Sequence, residues 1–193
     1  MSAHAIPFIT EEEYLKIERA AERPIEYYRG EMYPIEAATG RHAIISANLG
    51  RLIGNALVKR PCTVFAAGAK VKVSSSGLYA CPDWLVVCGQ TLYSDKYKDS
   101  ILNPVLLVEV LSPTTEDHDR GFKFVHYTKI DSVQEYVLAA QSAPRVGVFR
   151  RQPNRADWLW TEVEGLGSKL VLSSLEIEIP LAEIYDKVEF EPE

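Results

Sequence analysis

Apolar positions along the chain follow two different periods, and the switches between them mark the elements. Thr10-Glu11-Glu12-Glu13 has the form of a capping box, a hydroxyl residue with a glutamate three positions on. It predicts a helix to about Ala21, with Tyr14, Leu15, Ile17 and Ala21 on its apolar side. Arg23-Pro24 stops it. Ile25 to Tyr28 and Glu31 to Ile35, joined by Arg29-Gly30, predict a short hairpin. After Thr39-Gly40, the residues Ile44, Ile45, Leu49, Leu52, Ile53 and Ala56 recur at helical spacing as far as Lys59, before Arg60-Pro61.

Beyond that point the pattern is mostly that of strands. Residues 62–66 and 69–73 predict two strands split at Gly68, followed by the loop Ser74-Ser75-Ser76-Gly77. Residues 84–88 and 105–111 are short runs rich in Val and Leu, as expected of strands buried on both faces. Residues 89–104 between them are polar and predict a surface loop. A helix is expected over about 116–130, with a solvated first turn at His118, Asp119 and Arg120. Strands are expected at 134–139, 145–150, 157–163 and around Leu170 and Ile177, with a short helix at 181–185 and a frayed acidic tail at 189–193. The chain shows neither an internal repeat nor an interdomain linker. The pattern predicts a single mixed α/β domain over 1–193, its core at about 25–185, with helices packed on a central sheet.

Composition narrows the class. A chain of 193 residues with 47% hydrophobic content can bury a core without cross-links. No apolar run reaches the ~20 residues needed to span a bilayer. Met1 to Thr10 lacks a basic region followed by an apolar stretch, so the expected location is the cytoplasm. Cys62, Cys81 and Cys88 are odd in number and lack CxxC spacing, which predicts buried reduced thiols rather than a disulfide framework or a zinc site. The net charge of −6 argues against indiscriminate coating of nucleic acid. It leaves room for a local basic cleft, because metal-holding acids add to the negative total.

Two carboxylates stand out against this background. Asp83 follows Pro82 and opens the run Trp84-Leu85-Val86-Val87, and Glu109 sits inside Leu106-Leu107-Val108-Glu109-Val110-Leu111. A charge in such a run costs several kcal/mol unless it is paired or binds a metal. Adjacent strands would bring the two acids together into a site for Mg²⁺ or Mn²⁺, which favour oxygen ligands. The plainer alternatives are a turn-capping role for Asp83 and a buried Arg or Lys partner for Glu109.

These residues resemble a known pattern. Pro82-Asp83 followed by Glu109 is similar to the PD-(D/E)XK nuclease superfamily. Tyr28-Arg29-Gly30-Glu31, Val108-Glu109-Val110-Leu111-Ser112-Pro113-Thr114, Asp119, Lys123, Tyr127 and Glu135-Tyr136 resemble, more narrowly, the restriction endonuclease family once catalogued as a domain of unknown function. The resemblance runs from about Thr10 to Tyr185. It implies a restriction-endonuclease-like fold, a central mixed sheet flanked by helices with an N-terminal helix and hairpin. It also implies metal-dependent cleavage of phosphodiester bonds, in DNA first of all. The superfamily pattern places a lysine at position 111, where this chain has Leu111. The family resemblance moves that role to Lys123 in the following helix.

On this reading Asp83, Glu109 and the backbone carbonyl of Val110 hold the metal, and Lys123 serves the attacking water and the phosphate. Glu31 is a candidate third acid, or simply a hairpin residue. His42 is a candidate acid/base group, or a capping or core histidine. Arg41, Arg51, Lys70 and Lys72 are candidate DNA contacts, and a homodimer is expected by analogy with enzymes that cut both strands. Two other functions stay open: a nuclease fold with a decayed site that binds nucleic acid, and a metallohydrolase of another substrate class.

Overall fold

A computed structural model describes residues 8–154 and 157–190. The N-terminal helix α1 (Glu11–Ala20) opens on the expected capping box, with the Thr10 side chain accepting from the Glu13 amide and the Glu13 carboxylate accepting from the Thr10 amide. The hairpin follows as β1 (Ile25–Tyr28) and β2 (Glu31–Pro34), and the long helix as α2 (Gly40–Leu57). Next come β3 (Cys62–Ala66), β4 (Lys70–Val73), β5 (Leu78–Ala80), β6 (Trp84–Cys88), β7 (Ser100–Ile101) and β8 (Leu106–Leu111). The expected single helix at 116–130 is instead a π-helical turn, His118–Lys123, running directly into α3 (Phe124–Tyr127). The chain closes with β9 (Glu135–Ala140), β10 (Arg145–Arg151), β11 (Trp158–Glu164), β12 (Lys169–Leu172), β13 (Ile177–Pro180) and α4 (Leu181–Ile184).

The strands form a central six-stranded sheet in the order β11-β10-β9-β8-β6-β3, a five-stranded sheet β2-β1-β5-β4-β7, and the β12-β13 hairpin. Only the β8–β9 pair is parallel within the central sheet, so the sheet is mixed. One of its faces carries Val86, Leu106, Val108, Val110 and Val137 against Ile45, Leu49, Ile53 and Leu57 of α2 and against α4 and the β12-β13 hairpin. The other carries Leu85, Val87, Leu107, Leu111, Tyr136 and Leu138 against Tyr127, Ile130 and the second sheet. With both faces covered, a strand can be apolar at every position, which explains the continuous runs in β6 and β8.

Several expectations require correction. The five-stranded sheet was not foreseen, because β5 and β7 have three and two residues and β7 lies inside the stretch expected to be a surface loop. Ile17 of α1 and Ile44 of α2 face solvent, at 43% and 38% exposure, so the apolar stripes are narrower than the spacing suggested. Cys62 and Cys88 are not reduced buried thiols: the β3–β6 register sets them opposite each other and they form a disulfide, while Cys81 is free and buried. Of the tail, residues 191–193 lie outside the described residues, and Phe190 packs on Tyr185 rather than fraying. Among the described residues, no helix is long and apolar enough to cross a membrane.

The helix α2 sits unusually close to β6. A Cβ on Gly50 would overlap the Trp84 indole, whose Nε1–H donates to Ser46 Oγ at 2.9 Å. Trp84 directly follows Asp83, so this contact fixes the strand end that carries the acid. Gly50→Ala is expected to destabilise the fold by about 1–3 kcal/mol, the usual cost of overpacking, despite alanine's better helix propensity. Urea denaturation reads this directly, and an unchanged midpoint would remove the close-packing argument. The Cys62–Cys88 cross-link spans 26 residues of chain and should restrain the unfolded state by about 3 kcal/mol on the loop-entropy account. Denaturation with and without reductant should differ by that order, and identical curves would count against the bond.

Candidate active site

Asp83 and Glu109 meet because β6 and β8 are hydrogen-bonded neighbours in antiparallel register, with Trp84 opposite Val108. The next step along the ladder puts Asp83 against Glu109. Each acid is tied to the other's strand: the Val110 amide donates to Asp83 Oδ2 at 2.7 Å, and the Asp83 amide donates to Glu109 Oε2 at 3.4 Å. Alternation turns Glu109 toward the face that carries Leu107 and Leu111, away from α2. His42, from the first turn of α2, reaches the end of the sheet and places Nε2 3.2 Å from Asp83 Oδ2. The side chains of His42 and Asp83 are 17% and 15% exposed, and they form the solvent-facing edge of the site. Burial works against the His42 imidazolium, but the Asp83 carboxylate, with Asp119 and the Val110 backbone, outweighs it and raises the imidazole above its ordinary range.

Below that edge lies a buried cluster. Lys123 places Nζ 3.0 Å from Glu109 Oε1, 3.1 Å from Asp119 Oδ1 and 3.2 Å from Glu26 Oε1. Tyr127 donates its hydroxyl to the same Glu109 oxygen at 3.3 Å. Lys123, Asp119 and Glu26 are each under a tenth exposed, and Glu109 only 4%. The π-helical turn builds this arrangement, because its wider winding aims both Asp119 and Lys123 inward. Burial pushes the Glu109 carboxyl well above the usual carboxylate range; Lys123 opposes this, and Asp119, Asp83 and Glu26 add to it. Lys123 itself stays an ammonium. Burial disfavours its charge, but Glu109, Glu26, Tyr127 and Asp119 hold its pKa above the ordinary lysine range.

The charges do not balance. Glu26, Asp83, Glu109 and Asp119 face Lys123 and, when protonated, His42. Asp119 Oδ1, although close to Lys123, makes no hydrogen bond and is a buried orphan. Excess negative charge with an unsatisfied carboxylate oxygen suits a further cation, and the donors are the hard oxygens that Mg²⁺ and Mn²⁺ take. Among the described residues no three His, Cys, Asp or Glu side chains converge as a complete metal cage. A pair of carboxylates with a backbone carbonyl is nonetheless the kind of partial shell that Mg²⁺ uses alongside water and phosphate oxygens. Asp83, Glu109 and Val110 therefore fit such an ion.

The other residues singled out from the sequence fall differently. Glu31 is exposed and accepts from the Tyr33 hydroxyl at 2.6 Å, so it is not the third acid of the cluster. That acid is Glu26, which sequence reasoning missed; it sits on β1 among tyrosines and had the look of a hairpin surface residue. Its Oε1 also accepts the Cys81 amide at 2.9 Å. Asp119, expected in a solvated turn, is buried at 3% exposure. Lys70 and Lys72 are not basic-cleft residues: Lys70 is buried against Glu18 at 2.6 Å, and Lys72 pairs with Glu11 at 2.8 Å beneath α1. Arg51 is exposed on α2, and Arg41 is partly exposed in its first turn. Glu135 is fully buried and structural, accepting from Arg150 Nε and from the Ser173 and Ser174 amides.

The chain and its fold have counterparts among known proteins. Residues 11–182 match the Uma2 family model, described as "Putative restriction endonuclease". Two proteins of Synechocystis sp., both described as uncharacterized, are similar along most of their lengths. One, sll1609, is 31% identical over 169 residues, covering 88% of this chain and 95% of its own; the other, slr1290, is 30% identical over 194 residues, covering 98% and 100%. A crystal structure from Anabaena variabilis, described as that of a putative nuclease belonging to DUF820, superposes with a TM-score of 0.74 at 18% identity, covering 92% of this chain and 97% of that one. That likeness establishes a shared fold, the restriction-endonuclease-like arrangement implied by the sequence. With the family model spanning most of its length and two full-length relatives at 30% identity or better, the chain belongs to the Uma2 putative restriction endonuclease family.

Proposed function

We propose that this protein is a metal-dependent endonuclease that hydrolyses phosphodiester bonds in DNA. The observation that carries the proposal is the Asp83–Glu109 pair at a partly exposed sheet end, backed by a buried lysine in contact with Glu109. The family membership and the likeness to the Anabaena protein, itself described as a putative nuclease, support the same reading. An Mg²⁺ or Mn²⁺ ion held by Asp83, Glu109 and the Val110 carbonyl would supply a polarised phosphoryl oxygen and a bound water of lowered pKa. The residues of the chain do the rest. His42 and the Val110 amide anchor Asp83 through Oδ2, while among the described residues Oδ1 makes no hydrogen bond. Lys123 and Tyr127 fix Glu109 through Oε1. Lys123 also holds positive charge close to where negative charge grows on the phosphorus centre. In the reaction a water oxygen bonds to phosphorus, the bond to the departing ester oxygen breaks, and that oxygen takes up a proton. Cutting both strands of a duplex would require two copies of the chain.

One observation favours a non-catalytic alternative, a nucleic-acid-binding protein with a decayed site. Three carboxylates lie within 3.2 Å of Lys123 Nζ, which donates to Glu109 Oε1, so its charge is already shared among buried acids. Plasmid nicking separates the two. Wild-type protein should nick supercoiled DNA with Mg²⁺ or Mn²⁺, and Asp83→Ala should lose on the order of 10²-fold or more, the scale on which charge-stabilising groups act. Equal activity in both would end the assignment, and absence of Mn²⁺ binding by calorimetry at millimolar metal would favour the decayed site.

The lysine makes a second expectation. Lys123→Met leaves Glu26, Glu109 and Asp119 buried without their cation and should cost about 3–5 kcal/mol of stability, the range for breaking a buried pair from one side. Adding Glu109→Gln should recover part of the loss in urea denaturation. A Lys123→Met variant as stable as wild type would show that the cluster is not held by this ammonium.

A further inference from the structure

Beside the acid cluster lies a second group of residues that the proposed chemistry does not use. Four rings pack together: His118 stacks on Phe122 with centroids 4.7 Å apart, Phe122 lies tilted against His126 at 4.5 Å, and Tyr28 is edge-on to both His126 and Phe122 at 4.8 and 5.1 Å. The inner rings are fixed, since His126 is buried and its Nδ1 meets Ser76 Oγ at 2.7 Å. The outer end is open, because the His118 side chain is 45% exposed and closes the stack with its face. Around the rings stand exposed Arg29, at the tip of the β1–β2 hairpin, and exposed Lys129. Neither makes an ion pair among the described residues. Burial and the charges of Lys129, Arg29 and His118 together hold the His126 imidazole below its ordinary range. Arg29 and Lys129 thus put positive charge around His126, in a chain whose net charge is −6. The nearby Glu116 is already paired with Arg120 at 2.7 Å.

The platform adjoins the candidate active site through one carboxylate. Glu26 Oε1 contacts Lys123 Nζ at 3.2 Å, and its Oε2 lies 4.0 Å from His118 Nε2. Phe122 is the chain neighbour of Lys123. An open ring face flanked by unpaired cations is the arrangement that holds single-stranded nucleic acid: bases stack on the ring, and phosphates meet the cations. A base paired within a duplex cannot offer its face to a side chain, so the platform selects an unpaired nucleotide.

We propose that Tyr28, His118, Phe122 and His126, with Arg29 and Lys129, form a docking platform for an unpaired nucleotide of the substrate strand beside the Asp83–Glu109 centre. This rests on the nuclease reading for its substrate class, but it concerns binding and can fail separately. The test is fluorescence anisotropy with a short labelled single-stranded oligonucleotide and the matching duplex, in chelator so that no cleavage occurs. A 2-aminopurine probe reports stacking. Wild type should bind the single strand more tightly than the duplex and quench the probe. Arg29→Asn combined with Lys129→Gln should weaken single-strand binding about tenfold and flatten the salt dependence by about one to two in log–log slope. Asparagine is chosen because Arg29 has φ of 48°, a conformation it tolerates. His118→Ala should abolish the quenching and weaken binding about fivefold or more, the low end for one base–ring stack. These side chains are exposed, and unchanged thermal melting confirms that each variant is folded. Variants that bind and quench like wild type, or tighter duplex binding that ignores them, would overturn the platform. If wild type still nicks plasmid in an Asp83-dependent way, the nuclease reading survives that result. Loss of binding in the variants without any nicking would be the converse.

Discussion

The contact between Glu109 and Lys123 is the constraint around which this molecule is organised. A carboxylate in the middle of a strand covered on both faces is costly unless a cation reaches it. The cation cannot come from β8 itself, where alternation puts Leu111 on the same face, nor from α2, which packs on the opposite side. It comes from the segment that follows β8, and the π-helical turn lets that segment present Asp119 and Lys123 together. Once Lys123 is there, Glu26 is drawn in from β1, and the N-terminal hairpin becomes tied to the central sheet. The cluster therefore joins two sheets as well as housing the candidate chemistry.

The parts of the site that were legible in the sequence are those where local pattern and burial agree. Asp83 and Glu109 could be picked out because one opens an apolar run and the other interrupts one, and the strand pairing that joins them followed from the two runs being buried neighbours. Lys123 was legible only through family resemblance, since nothing local distinguishes it from an exposed helix lysine. Glu26 was not legible at all. Its strand reads Ile25-Glu26-Tyr27-Tyr28, which looks like a half-exposed hairpin, yet one face packs under α1 through Tyr27 while the other meets the π-helical turn. Glu31 looked better by motif but lies exposed beside the turn of the same hairpin. The five-stranded sheet escaped for a simpler reason: strands of two or three residues carry too little periodicity to register. Lys70 and Lys72 were misjudged with it, because their ion pairs to α1 exist only once that sheet is formed. The disulfide depended on register in the same way.

The helix α2 shows how the fold supports the exposed edge of the site. Its first turn delivers His42 to Asp83, its second turn fixes Trp84 through Ser46, and the missing side chain of Gly50 lets the indole lie against the helix. Three consecutive turns thus brace residues 83 and 84. The N-cap Thr39 ties the helix start to Gln141 just beyond β9, with its hydroxyl donating to the amide oxygen at 2.6 Å. The acid that meets solvent is accordingly held by a helix on one side, through His42, and by the neighbouring strand, through the Val110 amide, on the other.

The net charge of −6 argues against indiscriminate coating of nucleic acid. The structure distributes that charge unevenly. Five acids, Glu18, Glu26, Glu109, Asp119 and Glu135, are buried, and pairs such as Glu18–Lys70 and Glu11–Lys72 cancel locally. Arg29 and Lys129 stay unpaired among the described residues and sit at the rim, on the Lys123 side of the site. Charges at that rim act over the roughly 8–10 Å that salt leaves visible, so their local arrangement matters more than a distant excess. The total is thus a poor guide to what this surface attracts. What a surface attracts depends on where its exposed charges sit, not on their sum.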